Sequence, residues 1–210
     1  MRLSLDNPVL DYMNTVVQFI ALNLVYLICC LPVITIGPAT AALYQVTLRE
    51  ARREHGYLIR KFFRHMKEMF VQGMVAFLFF AALLSVAVYA LVFWFALGTP
   101  MASAAFTVTA LLAVIVFGAM IYVFPLMARF QNSLLGTIKN AFLFALSNPG
   151  YSFVLVLIQV FLVSLLYLFP VMKVFMVAIG FAFTAYCNSF LFGRLFRPYE
   201  AISGNDLEGR

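Results

Sequence analysis

Long apolar runs, separated by polar residues or by Pro and Gly, dominate the sequence. A helix that crosses a membrane needs about 20 largely apolar residues, and five runs are near or above this length. The pattern predicts an all-α fold, namely a polytopic membrane helix bundle that forms one integral membrane domain over residues 1–210. The five predicted spans are Tyr12–Leu31, Val71–Leu97, Met101–Met127, Ser152–Phe169 and Val171–Phe192.

The last two runs are predicted to be separate helices that meet at Pro170. One continuous helix from Ser152 to Phe196 would be ~67 Å long at about 1.5 Å per residue, roughly twice the thickness of a hydrocarbon core. Pro lacks a backbone N–H and ends helices, and the neighbouring Lys173 favours the headgroup region. We therefore expect the chain to turn back at this point.

A cleaved signal peptide is the alternative interpretation of the first run, because Ala39-Thr40-Ala41 resembles a cleavage site. The run is longer than the apolar region of a signal peptide, which has about 7–15 residues. Asp6 and Asp11 also accompany the single Arg2 ahead of it, whereas signal peptides begin with a positively charged region. We expect a retained helix.

Composition excludes an autonomous soluble enzyme or DNA-binding factor. Hydrophobic residues make up 65% of the chain and charged residues 10%, whereas soluble domains carry about 25% charged residues. If the number of spans is odd, twelve of the 14 basic residues lie on one side, and only Arg2 and Lys173 lie on the other. Because basic residues collect in cytoplasmic loops, we expect the amino terminus outside and the carboxyl terminus in the cytoplasm.

The segment 31–40 interrupts the apolar pattern after the first span. Pro and Gly end helices, and free backbone groups at membrane depth must face protein or water, so the segment could hold a headgroup, an anion or a polar ligand. Alternatively it is only a rigid turn, which the ordinary occurrence of Pro and Gly at helix ends favours. The candidate residues for a ligand or partner site are Pro32, Thr35, Gly37, Pro38 and Thr40.

Residues 41–70 are predicted to form a basic helical segment at the cytoplasmic interface, with helices over 41–54 and 57–70 on either side of Gly56. In the second helix, apolar residues recur every four positions from Leu58 to Phe70, while cationic residues lie on another face. Such a helix suits either the anionic lipid surface or a cytoplasmic partner. The candidate docking residues are Arg53, Arg60, Lys61, Arg64 and Lys67. A second interfacial helix is predicted over residues 136–146.

The sequence offers no recognisable catalytic, metal or cofactor site. The ATP-binding Gly loop is absent, the eight acidic residues avoid the span interiors, and His55 and His65 are not spaced as zinc ligands on one helix. Basic residues next to membrane helices also need no nucleic acid to explain them. We therefore predict a protein that is not an enzyme. The most polar side chains within spans are predicted to bridge helices; these are Gln18, Asn23, Gln159 and Asn188.

The first third of the chain contains several short runs that together form a recognisable pattern: Asn23-Leu24, Cys29-Cys30-Leu31-Pro32-Val33, Thr35-Ile36-Gly37-Pro38-Ala39-Thr40-Ala41-Ala42-Leu43-Tyr44, and Gly56-Tyr57 with Phe62-Phe63. In these residues the chain resembles the YesL family of bacterial membrane proteins. The resemblance implies a multi-pass protein of the bacterial plasma membrane with no assigned activity. Members of this family commonly occur beside carbohydrate ABC-transporter components and two-component regulators, which implies an accessory role in sugar uptake or sensing.

Two hypotheses follow. In the first, the protein is a noncatalytic accessory or regulatory partner of a carbohydrate ABC transporter or sugar-sensing system, and it contacts a permease or sensor subunit, the lipid bilayer and, as a further option, a second copy of itself. In the second, it is a small transporter or channel that acts on its own, with a pocket bounded by the broken first helix, Gln159, Thr184 and Asn188.

Overall fold

The computed structural model describes residues 8–52, 58–130 and 132–208, and within these ranges the chain is almost entirely helical and contains no strand. This confirms the predicted all-helical bundle. A short 3-10 turn, Val33–Thr35, joins α1 to α2, and a π-helical segment, Met176–Gly180, joins α8 to α9. The α-helices are α1 (Pro8–Cys29), α2 (Ile36–Ala51), α3 (Leu58–Glu68), α4 (Phe70–Leu97), α5 (Pro100–Arg129), α6 (Leu134–Ser147), α7 (Pro149–Leu168), α8 (Pro170–Phe175) and α9 (Phe181–Glu208).

Four helical stretches in the described residues are long and apolar enough to cross a membrane: Phe70–Leu97, Pro100–Arg129, Pro149–Leu168 and Pro170–Tyr199. They correspond to the second to fifth predicted spans. The first predicted span coincides with α1, whose described apolar part, Thr15–Cys29, is shorter than the others. Its crossing of the membrane therefore stays a prediction.

The predicted corner at Pro170 is confirmed. Helix α7 ends at Leu168, and Pro170 is the first residue of α8, where its missing N–H would have no helical acceptor in any case. The helix that starts there continues through the π segment into α9. The predicted helix over 136–146 is also present, as α6.

Helix α2 lies inside the bundle. Eleven of its 16 residues are buried, and it packs on α3, α4, α5 and most extensively on α9. At about 1.5 Å per residue it is too short to cross a hydrocarbon core. Its core-facing residues are mostly small or aliphatic, so the segment 41–70 begins with a buried helix and only its second helix, α3, carries a large exposed polar face.

Gly37 and Gly73 let α2 and α4 approach each other with backbone in contact. A Cβ atom at Gly37 would overlap the carbonyl oxygen of Gly73, and one at Gly73 would lie 2.7 Å from the backbone nitrogen of Pro38. Gly37 lies within α2 and, of the described glycines, Gly98 has the positive φ angle. The close approach of two helices, and not an unusual backbone conformation, therefore explains a glycine at position 37.

An aromatic cluster fills the core where α2, α5, α6 and α9 meet. Phe192 is fully buried and its ring lies 5.7 Å from the rings of both Tyr44 and Tyr122. Phe196 continues the cluster, with ring centroids 5.6 Å from Phe192 and 5.6 Å from Phe144. Most of these pairs are edge-to-face, the arrangement that the charge distribution of aromatic rings favours.

The substitution Gly37→Ala tests the close approach of α2 and α4. The added methyl group would meet backbone, which cannot move aside unless the helices separate, so we expect the free energy of unfolding to fall by about 1–3 kcal/mol. Thermal unfolding in mild detergent measures this loss.

Gly193→Ala is the matched control, because nothing lies within 4 Å of a Cβ atom at this helical position. There the substitution should be neutral or stabilise by about 0.5–1 kcal/mol, since Ala favours helices more than Gly. Equal melting temperatures for the two variants would contradict the assigned role of Gly37.

Candidate functional site

The turn between α1 and α2 satisfies its own polar groups. The Thr35 hydroxyl donates to the carbonyl oxygens of Cys29 and Pro32, and the Thr40 hydroxyl donates to the carbonyl of Ile36 at 2.7 Å. The hydroxyl groups of Tyr26 and Thr40 are also 3.2 Å apart. These bonds hold the end of α1 against the start of α2.

The five candidate residues of this turn do not share one environment. Pro32 is exposed, whereas Gly37 and Pro38 are buried beneath α4, and Thr35 and Thr40 are half-buried. The hydrogen bonds explain the turn as a structural junction. A ligand or partner at this turn stays a prediction.

Helix α3 is strongly amphipathic, as its sequence pattern predicts. Leu58 and Phe62 are buried in the core that α2 contributes to, with exposed fractions of 4% and 0%. On the opposite side, Arg60, Arg64 and Lys67 are exposed. Of the other predicted docking residues, Lys61 is half-buried and Arg53 lies outside the described residues. Phe70, predicted to extend this helix, instead begins α4 after a break at Met69.

His65 links the buried and exposed sides of α3. Its ring is almost fully buried, and its Nδ1 lies 2.9 Å from Oε2 of Glu68. Burial lowers the pKa of His65, as do the charges of Arg49 and Arg64, and the contact with Glu68 offsets this only in part. The ring is therefore mostly neutral at pH 7. Glu68 also forms an exposed ion pair with Arg64, at 3.9 Å.

Asn23 on α1 binds the backbone of the π segment. Its Nδ2 donates to the carbonyl oxygens of Met176 and Val177 at 3.1 and 2.7 Å, and its Oδ1 accepts from the N–H of Ala182 at 3.0 Å. The side chain is completely buried. A π-helical turn disrupts the regular helical bonds, and Asn23 supplies partners at this disruption.

A second polar contact joins α2 to α9 in the core. The Ser189 hydroxyl donates to Thr47 Oγ1 at 2.9 Å, and Asn188 Nδ2 donates to the hydroxyl of Tyr44 at 3.4 Å. All four side chains are buried. The predicted bridging role is therefore confirmed for Asn23 and Asn188. The sequence analysis missed Thr47 and Ser189, because a single hydroxyl in an apolar helix usually bonds its own helix.

An apolar cavity of about 320 Å³ lies between α7 and the stretch from α8 to α9. Thr184 and Asn188 are its polar lining residues, and the buried Oδ1 of Asn188 has no hydrogen-bond partner among the described residues. Gln159 and the broken first helix, which the sequence analysis placed at the same pocket, are not part of this cavity's lining. The structure therefore brings together two of the three predicted pocket side chains.

The polar groups in these contacts are amides and hydroxyls, which hold helices together and perform no acid–base chemistry at neutral pH. In the described part of the chain, no group of three or more His, Cys, Asp or Glu side chains is placed to hold a metal ion. The expectations of no enzyme activity, metal or cofactor stay predictions.

Comparison with known families matches residues 19–91 to a family described as "Protein of unknown function, DUF624". The matched segment is less than half of the chain and contains the turn, α2, α3 and most of α4. The match supports a relationship to an uncharacterised family. No curated protein and no solved structure matches the chain.

The substitution Asn23→Leu tests the bond between α1 and the π segment. Leu has a similar volume but leaves three backbone groups without this partner, two of them in buried contacts, so we expect the free energy of unfolding to fall by about 1–3 kcal/mol. Thermal unfolding in mild detergent measures the effect.

Gln159→Leu is the control, since Gln159 is a half-buried amide on α7 with no hydrogen bond to a described residue. It should change the melting temperature little. If both variants melt at the same reduced temperature, loss of an amide from a membrane helix explains the result, and the specific role of Asn23 is refuted.

Proposed function

We propose that this chain is a noncatalytic multi-pass protein of the bacterial plasma membrane that acts as an accessory or regulatory partner of a carbohydrate ABC transporter or sugar-sensing system. The system is suggested by the resemblance to the YesL family. The contact surface is suggested by α3, whose exposed cationic face is the single observation that carries the proposal.

The environment of α3 favours a protein partner over a lipid surface. A helix that lies in a membrane interface inserts its apolar face into the lipid. In α3 that face is already occupied, because Leu58 and Phe62 are buried against the bundle. The helix is thereby fixed in orientation, and its other face is left for a partner.

The exposed face of α3 has the composition of a binding surface. Phe63 is 50% exposed and lies between Arg60, Arg64 and Lys67 at helical spacing, so the four side chains share one face. Aromatic residues and Arg are enriched where protein interfaces gain most of their binding energy. An acidic surface on a permease or sensor subunit would complement this face.

The proposed orientation places this face in the cytoplasm. This orientation follows from the unequal distribution of basic residues between the two sides of the membrane. It requires α1 to cross the membrane, so that the amino terminus lies outside and the carboxyl terminus inside. A reporter fused to the carboxyl terminus that is active only in the periplasm or outside medium would contradict it.

Simultaneous substitution of Arg60, Arg64 and Lys67 by Glu tests the docking surface. Reversing three charges should abolish co-purification with a permease or sensor subunit from the native host in mild detergent, because like charges would then face each other across the interface. Mass spectrometry of the purified complex identifies and quantifies the subunit.

The matched control reverses Lys139, Arg194 and Arg197, three exposed cations on α6 and α9. It changes the net charge equally and should leave co-purification intact. Retention of the subunit by the first variant, or equal loss from both variants, would contradict docking through α3.

A small transporter or channel is the second candidate function, and the cavity beside Thr184 and Asn188 favours it. A mostly apolar pocket with a few polar groups is the usual form of a small-molecule site, and here it lies within membrane helices. Purified protein in liposomes that moves sugars or ions without a partner, and loses this activity on Asn188→Leu, would establish the alternative in place of the accessory role.

A further inference from the structure

A second cavity, about 490 Å³ in volume, lies between the last turn of α2, the junction of α3 and α4, and the last turn of α5. Its size falls within the range of about 300–1,000 Å³ that small-molecule sites occupy. In contrast to the apolar cavity at α7, its wall is largely polar. The polar side chains that decide its chemistry are Gln45, Arg49, Arg52, Glu68, Gln72 and Arg129.

The described lining residues carry an excess of positive charge. Arg49 and Arg52 come from α2 and Arg129 comes from α5, while Glu68 is the one acidic residue among them. Arg49 and Arg129 are half-buried, so water screens their charges less than on an open surface. In the described part of the chain, no carboxylate lies within ion-pair distance of Arg49.

The acidic residue of the wall is engaged elsewhere. The Glu68 carboxylate contacts His65 at 2.9 Å and Arg64 at 3.9 Å, both on its own helix. The end of α2 also has its own donor, since Arg52 Nε donates to the carbonyl oxygen of Leu48 at 3.3 Å. Capping of α2 therefore does not require the charge of Arg49.

Gln45 adds a group that needs a partner. Its Oε1 is buried and accepts no hydrogen bond from any described residue. A buried amide oxygen without a donor destabilises the folded protein. A hydroxyl group of a bound molecule would supply the missing donor.

The cavity also borders the ends of two span-length helices. These are the start of one, at Phe70, and the end of the next, at Arg129. Helix ends of this kind meet the headgroup region of a bilayer, and basic pockets between membrane helices bind anionic headgroups. The guanidinium group matches two phosphate oxygens at once.

We infer that this cavity binds a phosphate group that carries a neighbouring hydroxyl, as in a glycerol phosphodiester, with Arg49 and Arg129 on the phosphate and Gln45 on the hydroxyl. The molecule is either the headgroup of phosphatidylglycerol or a soluble glycerol phosphate. This site is separate from the exposed face of α3 and does not depend on the accessory role.

Binding is tested on the full chain purified in mild detergent. The lipid probe is dioleoyl-phosphatidylglycerol, with dioleoyl-phosphatidylcholine as the neutral comparison, and the soluble probes are glycerol 3-phosphate and inorganic phosphate. Native mass spectrometry counts retained molecules, and the rise in melting temperature with probe concentration gives the affinity. Selective binding of phosphatidylglycerol assigns a headgroup site, whereas equal binding of glycerol 3-phosphate assigns a soluble ligand; both outcomes support the cavity.

The double substitution of Arg49 and Arg129 by Gln should weaken binding of the probe by about tenfold or more, because the charged hydrogen bonds to the phosphate are lost. Its control, Arg194→Gln with Arg197→Gln, removes the same charge from exposed positions on α9 and should bind as the original protein does.

Gln45→Leu keeps all charges and provides a second test of the cavity, which remains available if the double variant does not fold. It should weaken the binding of phosphatidylglycerol. The binding of dioleoyl-phosphatidic acid, which lacks the headgroup hydroxyls, should be unaffected. The inference is overturned if neither phosphatidylglycerol nor glycerol 3-phosphate binds selectively, or if the Arg49 and Arg129 variant binds the probe as its control does. It is also overturned if Gln45→Leu weakens the binding of phosphatidylglycerol and of phosphatidic acid equally.

Discussion

The contact between the backbones of α2 and α4 at Gly37 and Gly73 is the constraint on which the interior depends. Lipid tails are as apolar as Leu or Phe, so membrane helices gain little by hiding apolar surface from one another. They associate instead through close packing and hydrogen bonds, and both need short distances. Because neither glycine has a side chain, α2 fits beneath α4 despite being too short to span the membrane. Its Tyr44 and Thr47 can then reach α9.

The buried polar groups also depend on close packing, because hydrogen bonds between helices need short distances. Asn23 accepts and donates at the π segment, and Thr47 bonds Ser189 across the core. In an apolar surrounding such groups are costly if unpaired, so they define which helices may pair and in what register. Three buried side-chain atoms of the described residues have no hydrogen-bond partner, namely Gln45 Oε1, His65 Nε2 and Asn188 Oδ1. Gln45 and Asn188 each line a cavity, so two of the three unsatisfied groups border open space.

Features set by a local pattern could be predicted from the sequence. The long apolar runs predicted the four span-length helices of the described residues. Pro170 predicted the corner between two of them, and the four-residue spacing from Leu58 predicted the buried face of α3. Features that depend on residues far apart could not be predicted. The π segment has no signal in Met176–Gly180 alone, since Asn23 lies more than 150 positions earlier. The cavity at Arg49 was missed for the same reason, because Arg129 joins it only after α4 and α5 have folded back.

The position of α2 also dictates the order in which this protein can be completed. Its most extensive partner is α9, and the hydrogen bond that Ser189 donates to Thr47 joins residues 142 positions apart. The ribosome must therefore synthesise the chain through α9 before α2 can meet this neighbour. Until α9 is present, Tyr44 and Thr47 lack their hydrogen-bond partners Asn188 and Ser189. Assembly of the interior is thus a late event of synthesis, and until it is complete the groups of α2 that later face α9 form the kind of uncovered surface through which incompletely folded chains misassemble.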